Sequence, residues 1–408
     1  MIIVENCTVV DAASPEPREG MSIVIEAGRI REISASKVVS DSAQRIDAKG
    51  RTALPGLIDA HNHIYLSEVN TRRLEAVPLT LMALRAVPTL SRALDRGFTT
   101  MRDAGGADWG TRQAIEDRLV RGPRLFVSGQ AISQTGGHGD TRLRTEQNPD
   151  GAFHSAFRFG KYLADGVDEV TKAARHQLRQ GVDQIKIMVS GGVASLNDPI
   201  DVCQYTGAEI AAICHEAKTW KTYVMAHAYT DDAIIHAVSN GVRSVEHCNL
   251  ITAKGAEFVR DHGAYVVPTL VTYEALNKRG AEFGMAEASL AKLSKVLDAG
   301  LSSLEVLKSA GVKTGFGTDL LGQLRDEQSR EFSLRAEVLS PWEVICQATA
   351  MNAELLNRSG ELGILAPGAI ADVILVDGNP LENISLLENQ GAHIPMVMKD
   401  GIIEKNML

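Results

Sequence analysis

Two kinds of hydrophobic periodicity divide this 408-residue chain, and the switch between them restricts the fold more than any other feature. Near both ends the runs are short and alternating, as in Met21-Ser22-Ile23-Val24-Ile25-Glu26, and turn residues such as Gly20 and Ala27-Gly28 interrupt them. Ala369 to Val376 and Met396-Val397-Met398-Lys399-Asp400-Gly401 repeat the style at the other end. Period-two runs broken by turns are strands of an antiparallel sheet. Neither end has enough apolar surface to stand alone, so residues 1–55 and 361–408 are expected to pair into one small β-sandwich domain. Between them, short apolar runs alternate with helical stretches such as 207–217, 232–239 and a long 286–309. The candidate strands are 57–63, 98–102, 124–128, 184–189, 222–227, 243–247, 264–269 and 313–319. Eight strands with helical returns predict an α/β fold, a (β/α)8 TIM barrel over residues 56–360. No GxGxxG opens the first strand–helix turn, so a doubly wound dinucleotide-binding sheet has no support.

Composition excludes several partners. Lys+Arg at 42 against Asp+Glu at 51 leaves a net charge of −9, which repels nucleic acid and anionic membrane surfaces alike. The longest stretch without a charged side chain is the 15 residues from Leu125 to Gly139, too short and too rich in Gly, Ser and Gln to span a bilayer. MIIVENCTVV lacks a basic leader region, and the five scattered cysteines contain no CxxC pair. Reduced thiols in a cytoplasmic protein are the expectation.

The chemistry-bearing residues gather at the C-terminal ends of the candidate strands, which form the catalytic face of such a barrel. The first strand ends Asp59-Ala60-His61-Asn62-His63, and residues i and i+2 of a strand share a side. Both imidazoles therefore face the mouth, where they can share a metal ion. Lys186 lies inside a strand with both faces covered. A buried ammonium there is costly, and a neutral amine near two cations can take up carbon dioxide as a bridging carbamate. Taken alone, Lys186 could instead snorkel to the rim or pair with an acid. His227 and His247 end the fifth and sixth strands and Asp319 the eighth. A lone strand-end His is usually a hydrogen-bonded core residue, and Asp319 could simply cap a helix. Their joint placement favours ligation.

These residues carry a resemblance. Pro55-Gly56-Leu57-Ile58-Asp59-Ala60-His61-Asn62-His63, Lys186, the two later strand-end histidines and Gly317-Thr318-Asp319 resemble the metal-dependent amidohydrolase superfamily. Gly363-Ile364-Leu365-Ala366-Pro367-Gly368, followed by Ala371-Asp372-Val373, is similar to that superfamily's return into its small β-domain. Thr135-Gly136-Gly137-His138-Gly139 and His227-Ala228-Tyr229-Thr230 resemble the imidazolonepropionase-related branch, which includes amidohydrolase-type Xaa-Pro dipeptidases (prolidases).

The resemblance implies two divalent metal ions. His61, His63 and Asp319 would hold the more buried one, His227 and His247 the more exposed one, and a carbon dioxide-derived carbamate on Lys186 would bridge them. Zinc suits the N/O donor set, as do manganese and cobalt. The implied reaction is attack of a metal-bridging hydroxide on the amide of a dipeptide, Xaa-Pro by preference, with Asp319 carrying the proton to the leaving nitrogen. His138 would hydrogen-bond the carbonyl, and Tyr229 the substrate carboxylate unless it only lines the cavity. Other readings are a dipeptidase for Xaa-Arg, Xaa-Lys or apolar dipeptides, a cyclic-amide hydrolase or deaminase, and a metal-free scaffold on the same fold. Deaminases of the superfamily usually manage without the strand-four lysine. Arg325 and Arg330 could reach an anionic substrate, although a solvated charged loop is the simpler reading. His154, His176, His215, His236, His262 and His393 read as surface or packing residues. Loop 132–165, with Phe153, Phe157, Phe159 and Tyr162, is expected to fold over the mouth. Apolar helix faces outside the barrel leave room for a homo-oligomer.

Overall fold

The structure is a computed structural model that describes residues 1–36, 38–40, 42–142, 144–145, 161–195 and 198–408. The chain opens with β1 (Ile2–Asp11), β2 (Ser14–Glu26), β3 (Arg29–Ser34), β4 (Gln44–Asp47) and β5 (Thr52–Pro55). The barrel strands follow as β6 (Leu57–Asn62), β7 (Phe98–Asp103) and β8 (Arg124–Phe126). After the short β9 (Ala131–Ser133) and β10 (Lys161–Leu163) come β11 (Ile185–Met188), β12 (Val224–Thr230), β13 (Ser244–Leu250), β14 (Tyr265–Val267) and β15 (Lys313–Thr314). The chain then returns through β16 (Val373–Val376), β17 (Met396–Lys399) and β18 (Ile402–Asn406).

Strands from both ends form one eight-stranded sheet in the order β18-β17-β16-β5-β1-β2-β3, with β4 paired to β1. Its two edges approach each other: the β2–β3 turn meets the β17–β18 turn, where a Cβ on Gly401 would lie 2.7 Å from the Gly28 Cα. Both glycines also have positive φ (77° and 74°), so glycine is required there twice over. Ile23, Ile25, Ile30, Val373, Leu375, Met396 and Met398 fill the core enclosed between the layers.

All eight expected barrel strands form, pairing in parallel within β6-β7-β8 and β9-β11-β12-β13-β14-β15. The seam closes where Ala60 N donates to Phe316 O (2.8 Å) and where Thr318 N and Asp319 N both donate to His61 O (3.1 and 2.8 Å). The regular ladder of β15 covers only Lys313–Thr314 of the expected 313–319, and the backbone is left-handed at Asp319 (φ 52°). The sequence did not foretell β9 and β10; β9 joins the barrel sheet by pairing with β11 at Ile132 and Ile187.

Other expectations need correction. The single helix expected over 286–309 is two, Glu287–Asp298 and Gly300–Ala310, broken at Ala299 (ψ −8°) beside Gly300, the weakest helix former in the run. Phe153, Phe157, Phe159 and His154 lie outside the described residues. Tyr162 packs on His176, ring centroids 5.9 Å apart, and not on the cavity. No helix among the described residues is long and apolar enough to cross a membrane.

Gly56 is the hinge between the terminal sheet and the barrel. Its N–H donates to Asp372 O (2.9 Å), and a Cβ on it would lie 2.1 Å from Thr99 Oγ1. G56A should therefore destabilise the fold by about 1–3 kcal/mol through overpacking. A lowered denaturant midpoint, partly restored by adding T99A, is the expected measurement; an unchanged midpoint would show that the contact relaxes freely.

Candidate metal and active site

His61, His63, His138, Lys186, His227, Tyr229, His247 and Asp319 all line one cavity of about 80 Å³ at the C-terminal mouth of the barrel. A single water needs roughly 10–15 Å³, so the cavity admits a small organic ligand or several waters.

Each histidine is oriented through one ring nitrogen, leaving the other for the cavity. His61 Nδ1 donates to Glu246 Oε2 (2.7 Å), and His61 Nε2 is buried with no hydrogen-bond partner among the described residues, 3.4 Å from Asp319 Oδ1. His63 Nδ1 donates to the Gly105 carbonyl (2.9 Å), and its Nε2 lies 3.1 Å from Asp319 Oδ1. Gly105 is in turn held by its N–H donating to Asp103 Oδ1 (3.0 Å). His227 Nε2 donates to Gly191 O (3.1 Å), which leaves Nδ1 as the ring nitrogen that could bind a metal. His247 Nδ1 bonds Thr269 Oγ1 (2.8 Å). Tying down the second nitrogen fixes both the tautomer and the ring plane of a metal-binding histidine.

Glu246 and His247 are consecutive, and consecutive strand residues point to opposite faces. Yet both reach His61: the Glu246 carboxylate by hydrogen bond and the His247 ring at a centroid distance of 4.8 Å. The left-handed backbone at His247 (φ 73°) and Cys248 (φ 56°) accounts for this, since it turns the second side chain back to the mouth. Such conformations cost roughly 1–3 kcal/mol each in a non-glycine residue and persist where surrounding structure imposes them. Asp319 is the third case at this site.

Glu246 is the main residue that the sequence reading missed. It is buried, accepts from Ser244 Oγ (2.6 Å), and pairs through both oxygens with Arg102 Nη2 (3.0 Å each). Burial works against its charge, but Arg102 and then His61 hold the carboxyl well below the ordinary range. A charged residue inside a strand otherwise made of buried positions was the available signal.

Burial, with neighbouring His138, His247 and Lys186, holds His227 well below the usual imidazole range; burial and neighbouring His61 and Lys186 do the same for His247 against the pull of Asp319. Both therefore stay neutral, as ligation requires. Burial opposes ionisation of Asp319 too, but His61, His63 and His247 outweigh it and keep the carboxylate charged. Lys186 is buried, and among the described residues it makes neither a hydrogen bond nor an ion pair. Burial lowers its amine to about 8, with Glu246 and Asp319 pulling the other way.

The donor set fits metal binding. Ligand atoms of His61, His247 and Asp319 lie within 4.8 Å of one another. The buried, unpartnered His61 Nε2 is the polar atom that an ion would satisfy. His227 and His247 rings are 4.7 Å apart beside this group, so His247 stands between the two expected ligand sets.

His138 stacks on His227 (centroids 4.3 Å, 11° between planes), and its Nδ1 is within 2.8 Å of Ser195 Oγ and 3.3 Å of Asp198 Oδ2. Tyr229 is buried, packs on His227 and His247, and shares a 3.0 Å hydrogen bond with Tyr273 Oη, a second tyrosine that the sequence did not single out. Arg325 is neither in a solvated loop nor turned to the cavity. It is buried and donates to the carbonyls of His63 and Ile64, so it buttresses the first strand end. Arg330 pairs with Glu274.

Residues 52–403 match the amidohydrolase family. The chain is similar to a solved prolidase complexed with N-methylphosphonate-L-proline: 47% identical, covering 99% of each chain, with a TM-score of 0.97. It is 31% identical to the ochratoxinase of Aspergillus niger over 365 residues, 86% of this chain and 75% of that one. It is 24% identical to the imidazolonepropionase of Salinispora arenicola over 381 residues, 88% of this chain and 86% of the relative. The chain belongs to the amidohydrolase family, and it is a hydrolase of that family.

Two measurements test the site as built. E246Q should weaken metal binding about 10–100-fold, because the partner that orients His61 is lost; a competition titration with a chromophoric chelator reads this directly. In the metal-free protein, Lys186 has a lower pKa folded than unfolded, so the unfolded chain binds more protons between about pH 8 and its ordinary value of 10.5. Stability should therefore rise with pH across that window. In K186M that part of the rise should vanish from pH-dependent denaturation curves.

Proposed function

We propose that this protein is a binuclear-metal dipeptidase that cleaves the peptide bond of Xaa-Pro dipeptides. The observation that carries the reading is the likeness to a prolidase at 47% identity along 99% of both chains. The cavity supports it, since all eight residues expected to bind metal or substrate line that one space. His61, His63 and Asp319 would hold one divalent ion and His227 and His247 the other, zinc being our choice for this N/O donor set. When bound, the ions supply Lewis-acid polarisation of the scissile carbonyl and lower the pKa of an attacking water.

The rest of the work falls to the chain's own residues. Lys186, buried and without a partner among the described residues, is lowered to about 8 and so has enough neutral amine near physiological pH to add carbon dioxide, the nitrogen losing a proton as the N–C bond of the carbamate forms. This would replace a costly buried cation with an anion that could help hold the divalent ions. Asp319 stays ionised at the cavity and so can accept a proton from the attacking water and deliver it to the departing proline nitrogen. His138 would hydrogen-bond the carbonyl oxygen, and Tyr229, paired with Tyr273, the substrate carboxylate. The substrate is a small molecule, and the five free cysteines suit a reducing, cytoplasmic setting.

One observation favours a second substrate class. Leu66, Val193, Leu276 and Leu321 also line the cavity, an apolar wall that would accept a larger apolar residue in place of proline. A dipeptide library on zinc-reconstituted protein separates the readings. Preferential cleavage of Xaa-Pro supports the first, preference for apolar C-terminal residues the second, and no dipeptide cleavage rejects both. D319N should lower kcat at least about 100-fold, the lower range for loss of a positioned general acid–base group. Near-full activity of D319N would remove the proton-transfer role.

A further inference from the structure

One contact near the mouth belongs to neither the metal ligands nor the cavity wall. Lys292 sits on the helix Glu287–Asp298, in the segment between β14 and β15. Its ammonium donates to three main-chain carbonyls of the loop after β11: Gly192 (3.1 Å), Ser195 (2.9 Å) and Asp198 (2.6 Å). An ammonium has three N–H donors, so this loop takes up its full capacity. In barrel order β11 and β14 are separated by β12 and β13, the strands that carry His227 and His247. The contact thus joins the two flanks of the mouth on either side of those histidines.

The loop it holds contributes to the site at three points. Its Gly191 carbonyl accepts from His227 Nε2 (3.1 Å). Its Ser195 and Asp198 side chains hold His138 Nδ1, and Gly192 N closes the loop onto Asp198 Oδ2 (3.0 Å). Val193 and Ala194 line the cavity itself. The packing has no slack: a Cβ on Gly192 would lie 2.1 Å from the His138 ring, and one on Gly191 would lie 1.8 Å from the Pro199 carbonyl. A loop seated this closely transmits a small displacement directly to His138.

We infer that Lys292 is a positioning residue, a clasp whose three carbonyl contacts hold the β11 loop against the cavity and thereby place His138 and the Val193–Ala194 wall for the substrate. This rests on the reading of the cavity as the active site. A misplacement of about 1 Å in a group that positions substrate can cost about 100-fold in rate. All three of these hydrogen bonds go to main-chain carbonyls, so Lys292 acts through the loop.

The test uses metal-loaded, full-length wild type, K292M and K292R. For K292M the expected result is a 10–100-fold fall in kcat/KM on the best dipeptide, metal content unchanged, and faster hydrogen–deuterium exchange confined to peptides covering 191–198. K292R, which can still donate to several carbonyls, should recover most of the loss. Wild-type kinetics with unchanged loop exchange would overturn the clasp. So would a loss accompanied by missing metal or by faster exchange throughout, since Lys292 would then be holding the fold and not the loop. If the wild type cleaves no dipeptide, the proposed function fails by itself. The exchange and metal measurements still decide the clasp.

Discussion

The carbonyl of His61 accepts hydrogen bonds from both Thr318 and Asp319, and the rest of the site depends on the closure that these two bonds make. They join the first barrel strand to the last. In doing so they set the Asp319 carboxylate 3.1 Å from His63 and 3.4 Å from His61. The seam is reinforced from behind. Asn352 Nδ2 donates to the carbonyls of Ile58 (2.7 Å) and Phe316 (2.9 Å), and Asp59 accepts from Thr318 Oγ1 (2.6 Å) and Gln328 Nε2 (2.8 Å). A closure between segments so far apart in the chain must offset a large loss of conformational freedom. That burden explains why the seam is built from several buried polar contacts and not from a bare ladder.

Several of the buried charges are held in ion pairs, and Lys186 is not one of them. Arg102 meets Glu246, Arg335 meets Glu331 (2.7 Å), and Arg124 meets Asp372 (2.8 Å) where the barrel touches the terminal sheet. Each pair meets part of its desolvation cost with its own attraction and with surrounding hydrogen bonds. Lys186 has no such partner among the described residues although Glu246 lies close enough to influence it. Glu246 is already engaged by Arg102, Ser244 and His61. The Arg102–Glu246 pair therefore does two things: it orients His61, and it occupies the acid that would otherwise capture the lysine.

Much of this was legible in the sequence because strand-end position is a local property. A run such as Leu57-Ile58-Asp59-Ala60-His61-Asn62-His63 declares both its strand and the side chains at its end. Lys186 declared itself as a charge inside an apolar strand. Arg325 was misread because its neighbours Asp326 and Glu327 make the segment look solvated, while its guanidinium reaches inward to the His63 and Ile64 carbonyls. Glu246 was hidden by strand alternation, which assigns it and His247 to opposite faces. Only the left-handed backbone at His247 brings both to His61. Lys292 had no signal at all, since a lysine on an amphipathic helix ordinarily faces water.

By itself, then, the sequence determined the strand–helix rhythm, the union of the two ends into one small sheet, and the identity of the residues that meet at the mouth. Those follow from periodicity and from residues placed at strand ends, which neighbouring side chains in the chain decide. Only the tertiary structure decided which nitrogen of each histidine is tied down, which acid is already paired, and which loop is clasped over the cavity. Those depend on hydrogen bonds between strands and loops remote in sequence, and their partners become defined only when the barrel closes.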